Sequence, residues 1–318
     1  MAELRGEVFD LGYQRYEGPR EGRWRTRYAI FENGLRSMLG IGRGGRSKVL
    51  PILLVLAAIA PAAVFVIIVS VIGDDDFIPG PSDYYQIVSL VLFLFSAIMA
   101  PELLIPDRRD RVLDLYLVRP LTVTDYLVAR VAAFFVIALA LVYSGQIVLQ
   151  IGLILTAASP VDFIQENWLD IPRFILSGAL IAFFVTIIPV TVAGFMSRRA
   201  IATAFVIGLW LIATLFVGAL TSGECYEEST TASGGRIQET TACEPIKGEA
   251  AKWVALLDLG NVPMHLNEMI FGEEPDQSDN PTLYEVAKLP AIVPILWYAL
   301  WIVGPASLLW FRYRKVKI

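Results

Sequence analysis

Along most of this chain apolar positions do not alternate with polar ones but run unbroken. Six such runs, about 49–72, 85–105, 127–157, 172–196, 200–221 and 289–311, reach the roughly 20 residues that cross a bilayer as helix. They predict an all-α integral membrane protein with six transmembrane helices. Ahead of them the pattern changes. Trp24, Tyr28, Phe31, Leu35 and Met38 recur at helical spacing with Leu39 beside them, while Arg25, Glu32, Asn33 and Arg36 fill the opposite arc. That pattern predicts an amphipathic helix over about 24–39 lying on the membrane surface, where Trp and Tyr suit the headgroup level. The 1–48 segment lacks the short basic start, apolar stretch and cleavage site of a secretory signal, so the first run is expected to be an uncleaved anchor.

Between the second and third runs lies 106–126, where charges press against membrane-length segments. Val112, Leu115, Tyr116 and Val118 fall near helical spacing, and Arg108, Arg109, Arg111 and Asp114 take the other side. This predicts a short amphipathic helix with Pro106 in its first turn, Asp107 and Asp110 near its N-terminus, and Pro120 as its stop. Thr122-x-x-Asp125 reads as the cap of the next helix. The alternative is a solvated loop whose arginines only fix topology.

The remaining stretches are shorter. Pro51, Pro61 and Pro189 are expected to kink their spans, and Ser197-Arg198-Arg199 makes a tight turn. The 159–168 loop mixes apolar and acidic residues and should lie along the membrane. Segment 222–288 opens on a Thr/Ser/Gly-rich stretch with little to pack. Its second half holds Trp253, Leu256, Leu257, Met264, Leu266, Met269, Ile270 and Phe271, enough for one or two short helices resting on the membrane or capping the bundle.

Composition agrees with the membrane reading: of 318 residues, 56% are hydrophobic and 18% charged, against about half and about a quarter in soluble domains. Most of the 26 Lys and Arg residues lie in 1–48, 106–130, Arg198-Arg199 and the 312–318 tail, which the positive-inside rule places in the cytoplasm with both termini. Segment 222–288 is then extracellular. The net charge of −5 hides this split and gives no reason to expect a nucleic-acid partner.

Candidate chemistry is sparse, and no catalytic, cofactor-binding or metal-binding residue is assigned. Gly40-Ile41-Gly42-Arg43-Gly44-Gly45-Arg46-Ser47-Lys48 imitates a phosphate loop but follows a helix and precedes a span, not a βαβ unit. His265 is the only histidine and lies in the outer segment, which disfavours an intramembrane protease. Arg111 with Arg119-Pro120 imitates a lipid phosphatase element at the wrong spacing and without its histidines. Cys225 and Cys243 share the outer segment. A disulfide there would contribute about 3 kcal/mol in the chain-entropy model, the alternative being two free thiols. Glu102, inside the second span, is expected to face Arg108, Arg109 or another subunit. Tyr143, Gln146 and Gln150 lie on one face of the third span and should meet either neighbouring helices or a polar path.

The run Asp107-Arg108-Arg109, then Leu113-Asp114-Leu115-Tyr116-Leu117, then Arg119-Pro120-Leu121-Thr122 resembles the first inner loop of ABC-2 type exporter permeases. The amphipathic helix before six spans and the larger outer segment before the last extend the resemblance over nearly the full length, although that segment is longer and carries more cysteine than is usual there. The resemblance implies a permease subunit of a prokaryotic cell membrane, working as a homo- or heterodimer. ATP and Mg would be bound by a separate ATPase subunit, not by this chain. Asp107, Arg108, Arg109, Asp110, Arg111, Leu113, Asp114, Tyr116 and Arg119 would then belong to a coupling helix seated on that ATPase. A non-transporting membrane anchor or assembly factor for a partner ATPase is the alternative.

Overall fold

Unbroken apolar sequence has one stable outcome in lipid, where every backbone N–H and C=O must be satisfied within its own segment, and that outcome is helix. A computed structural model of the protein describes residues 18, 22–42, 44–72, 82–117, 121–157, 159–221, 223–231, 237–245, 250–277 and 279–315. Six of its helices are long and apolar enough to cross a membrane: α2 (Arg46–Ile72), α3 (Asp83–Arg109), α5 (Val123–Thr156), α7 (Asp170–Phe195), α8 (Arg199–Thr221) and α12 (Ile292–Arg314). The protein is a multi-pass helical membrane protein. The spans are not equivalent, since α3, α5 and α7 are about half buried while less than a quarter of α2, α8 and α12 is buried. The first three make the inner row.

Small residues set the closest contacts. Tyr84 donates to the Ala58 carbonyl at 2.7 Å, and Gly145 leaves room for that pairing, because a Cβ there would lie 2.6 Å from the same carbonyl and collide with the tyrosine hydroxyl. Gly178 of α7 likewise leaves room for the Tyr143 ring of α5 and the Tyr85 hydroxyl of α3. Close approach of small residues is the usual way for helices to pack without a hydrophobic driving force between them.

The expected amphipathic helix exists as α1 (Arg23–Met38), but its apolar stripe divides. Ile30, Gly34 and Met38 are buried and Phe31 and Leu35 partly so, whereas Trp24 and Tyr28 point outward, Trp24 being 74% exposed. Arg23 and Arg27 pair with Asp125, which holds the start of α1 onto α5.

Two boundaries differ from expectation. Pro106 does not open the short helix; α3 runs through Pro101 and Pro106 to Arg109, and the short helix α4 (Val112–Leu117) starts only after a turn at Asp110 and Arg111. A proline inside a span is tolerated where neighbouring groups satisfy the backbone it leaves free. Arg111 adopts φ 54°, the left-handed region that few side chains occupy, and this reversal separates the two helices. The cap at Thr122 is present as read: Asp125 N–H donates to Thr122 Oγ1 at 3.3 Å, and Thr122 N–H to Asp125 Oδ2 at 3.0 Å.

The end of the bundle away from α1 carries the remaining elements. α6 (Pro160–Glu166) is exposed along most of its length. Strands β1 (Gly223–Thr231) and β2 (Ile237–Pro245) form an antiparallel hairpin, an addition to the helical plan in a stretch expected to pack little. Its register sets Cys225 opposite Cys243, though their side chains lie outside the described set. Three short helices follow: α9 (Ala251–Ala255) and α10 (Asn261–Phe271), where one or two were expected, and α11 (Pro281–Ala287) in addition. Gly272, at φ 75°, closes α10.

α10 does more than rest on the membrane or cap the bundle. Val262 and Leu266 of α10 share an apolar cluster with Phe184, Ile187 and Ile188 of α7 and with Tyr298 of α12. Phe184 is 14 residues into α7, about 21 Å at 1.5 Å per residue. Trp297 of α12 donates to the Leu256 carbonyl at 2.6 Å. The α9–α10 turn therefore dips about halfway down the spans.

Candidate functional site

Two places concentrate polar chemistry. The first is the basic end, where α3 meets α4. Asp107 in the last turn of α3 accepts from Arg130 Nη2 at 2.6 Å and from Tyr126 Oη at 2.7 Å. Arg130 is 2% exposed and lies over the Tyr126 ring at 5.8 Å. A charge this deep must be paired, since removing its partner would leave it stranded. Arg108 points the other way. Its guanidinium donates to the carbonyls of Ala193 and Gly194, at 2.5 Å each, and of Met196, which are orphan acceptors where α7 ends. It also lies 6.0 Å from the Tyr313 ring of α12.

Asp107 and Arg108 are thus occupied inside the chain, which leaves Arg109, Asp110 and Arg111 as the exposed charges of the turn. Arg109 and Asp110 pair locally at 2.9 Å. Leu113 is buried, and Tyr116 is half-buried, its hydroxyl 3.4 Å from Asn33 Nδ2 of α1. The Asp114 side chain and the whole of Arg119 lie outside the described residues. Glu102 pairs with Arg199, not with Arg108 or Arg109, because the short turn after α7 brings the start of α8 beside α3.

The polar face of α5 meets helices. Tyr143 donates to the Ile175 carbonyl at 2.6 Å, and Gln146 is fully buried with neither amide atom hydrogen-bonded. Gln150 is half-buried.

The second place is a cavity of about 460 Å³ between α3, α7, α8 and the α9–α10 turn. Apolar side chains make most of its wall: Phe93 from α3, Ile181, Phe184 and Ile188 from α7, Val206 and Leu209 from α8. Gln86, Ser89 and Ser96 add a polar stripe on α3, and Asp258, Asn261, Asp279 and Asn280 gather at the α9–α11 side. Phe93 and Trp210 stack across it with ring centroids 4.5 Å apart.

Asp258 organises the turn. It accepts from Thr214 Oγ1 of α8 and from Gly260 N–H, both at 3.0 Å on Oδ1, and from Asn261 Nδ2 at 2.8 Å on Oδ2. Burial pushes its carboxyl above the ordinary carboxylate range, opposed by those donors. Gly260 is needed because a Cβ there would fall 2.6 Å from Trp210 Nε1. Nearby on α10, burial also raises Glu268; Asp83 and Glu273 add to the shift and His265 opposes it. Asn267 joins Ser177 of α7 to the Ser82 carbonyl. Among the described residues no cluster of His, Cys, Asp or Glu is arranged to hold a metal ion.

Reading the sequence missed Arg130, Arg199 and Asp258. Each had a signal, an ionisable residue at or within an apolar stretch, which in a membrane protein needs a partner. Comparison with protein-family models and with curated proteins finds no match for this chain.

Proposed function

We propose that the chain is the membrane-spanning subunit of an ATP-driven exporter of the ABC-2 type, paired with a second permease subunit and driven by a separate ATPase. One observation carries the reading. The exposed Arg109-Asp110-Arg111 turn is flanked by Asp107, which grips α5, and Arg108, which grips the end of α7 and touches α12. Glu102 ties the same part of α3 to α8. A push on that turn reaches α5, α7 and α8 through charge-assisted hydrogen bonds and α12 through the Arg108–Tyr313 contact, which suits rigid-body rocking of membrane halves. The distribution of Lys and Arg supports a cytoplasmic location for this end and for both termini, with α1 lying along the inner surface of a prokaryotic cell membrane. The register of the outer hairpin supports a disulfide between Cys225 and Cys243.

The test is co-purification with a candidate partner ATPase. In R109E/R111E, association with the ATPase, or the change in its activity on assembly, should be lost while the chain itself stays folded. Unchanged association and unchanged coupled hydrolysis would overturn the reading. Orientation is checked separately by replacing both native cysteines with serine and labelling Asp110→Cys and Ser229→Cys, which should react from opposite faces.

A further inference from the structure

The cavity is long. Its α3 wall runs from Gln86 to Ser96, ten residues or about 15 Å at 1.5 Å per residue. Its chemistry changes along that length. Near Ser96 it meets Ile188 and Val206, and the Ser96 hydroxyl is already spent on the Phe93 carbonyl at 2.8 Å. Asp258, beside Trp210, and Asp279 also stand in its wall, while among the described residues no Lys, Arg or His lines it. An anionic guest would therefore meet carboxylates with nothing to neutralise it.

Asp258 is buried, and its bonds from Thr214, Gly260 and Asn261 fix the carboxylate in the wall of the slot. Asp279 is exposed in the same wall. The stacked Phe93 and Trp210 rings supply aromatic surface beside Asp258, and an indole also attracts positive charge. A pocket of this size, largely apolar with a few converging polar groups, has the usual form of a small-molecule site.

We propose that this slot binds an amphiphilic monocation, its charged head at the Asp258 and Asp279 carboxylates and its apolar body laid along Phe93, Trp210 and Ile188. As a site for cargo the assignment rests on the exporter reading; as a binding site it stands alone. The guest matches the slot in character: one positive charge for a wall that holds two carboxylates, and an apolar body for the Phe93, Trp210 and Ile188 side.

The experiment uses the full chain in lipid nanodiscs and three single-chain probes of equal length: dodecylammonium, dodecanol and dodecanoate. Binding is followed by tryptophan fluorescence, with labelled probe giving the stoichiometry above lipid partitioning. Dodecylammonium should bind saturably at one per chain, dodecanol at least tenfold more weakly, and dodecanoate not at all. Asp279→Asn, on an exposed side chain, should weaken dodecylammonium several-fold, and Asp258→Asn tenfold or more. Because Asp258 also holds the α9–α10 turn, Ser89→Phe provides a second probe, filling the slot without touching either carboxylate, and should abolish saturable binding at unchanged melting temperature.

Equal binding of dodecanoate, or saturable binding that survives both Asp279→Asn and Ser89→Phe, would overturn the site. Adding the ATPase separates the two proposals. Binding without any effect of dodecylammonium on ATP hydrolysis counts against the cargo role alone, and coupled hydrolysis without binding counts against the cation site alone.

Discussion

The pair between Asp107 and Arg130 offers a sharp test of how the basic end is held. Replacing Asp107 with alanine leaves the Arg130 guanidinium, 2% exposed, without its counter-charge and leaves the Tyr126 hydroxyl without its acceptor. Removing one member of a buried ion pair costs roughly 3–5 kcal/mol. At about 2 °C per kcal/mol for a chain of this size, the melting temperature should fall by roughly 6–10 °C. The assay is thermal unfolding in detergent, followed by tryptophan fluorescence. Arg130→Met removes the other partner while keeping apolar bulk against Tyr126, and the double variant completes the cycle. The Tyr126 hydroxyl loses its acceptor in both Asp107 variants and cancels. If the pair acts as the geometry requires, the double variant is more stable than the sum of the singles implies by at least about 1.5 kcal/mol, whereas additivity within about 0.5 kcal/mol would refute the reasoning.

Three further outcomes follow from other contacts. Thr122→Ala removes the acceptor of the capping box at α5 and should cost about 1 kcal/mol, a drop of a few degrees that Thr122→Ser restores. Gly145→Ala forces a methyl into the Tyr84 hydroxyl and the Ala58 carbonyl and should cost at least about 1–3 kcal/mol, while Gly208→Ala, with open space around it, should be neutral in the same melt. Burial raises Glu268, so the folded state holds its proton more tightly than the unfolded chain does, and this group favours folding at acid pH. Stability should decline as pH rises from the ordinary carboxylate range through the raised value; Glu268→Gln should flatten that slope and raise the neutral-pH melting temperature, and an unchanged slope would show that Glu268 does not titrate as described.

The six spans were legible because an apolar run of membrane length has few other uses, and the Thr122 cap because its two bonds are local in sequence. What was not legible is set by tertiary contact. Arg108 finds three backbone carbonyls, and backbone acceptors leave no mark in a sequence. Glu102 finds Arg199, 97 residues away, through a turn whose direction no local pattern fixes. Pro106 looked like a helix start and lies within one, because proline suits a first turn and is also tolerated inside a span whose neighbours satisfy the freed backbone. The α9–α10 pair was misread in depth: an 11-residue apolar helix looks the same whether it floats on a surface or is wedged between α7 and α12. Its buried Asp258 and Asn267 were the clue, because polar groups tucked beside apolar ones argue for partners on facing helices.

One bond has a consequence for the order of assembly. α1 is made early, yet its anchor Asp125 is translated 102 residues after Arg23. At synthesis rates of about 5–20 residues per second, the helix must wait roughly 5–20 s for its dock. Through that interval Arg23 and Arg27 lack Asp125 and the buried face lacks α5, so a nascent chain stopped short of residue 125 should present α1 to proteases and to anionic lipid, and one stopped after α5 should not.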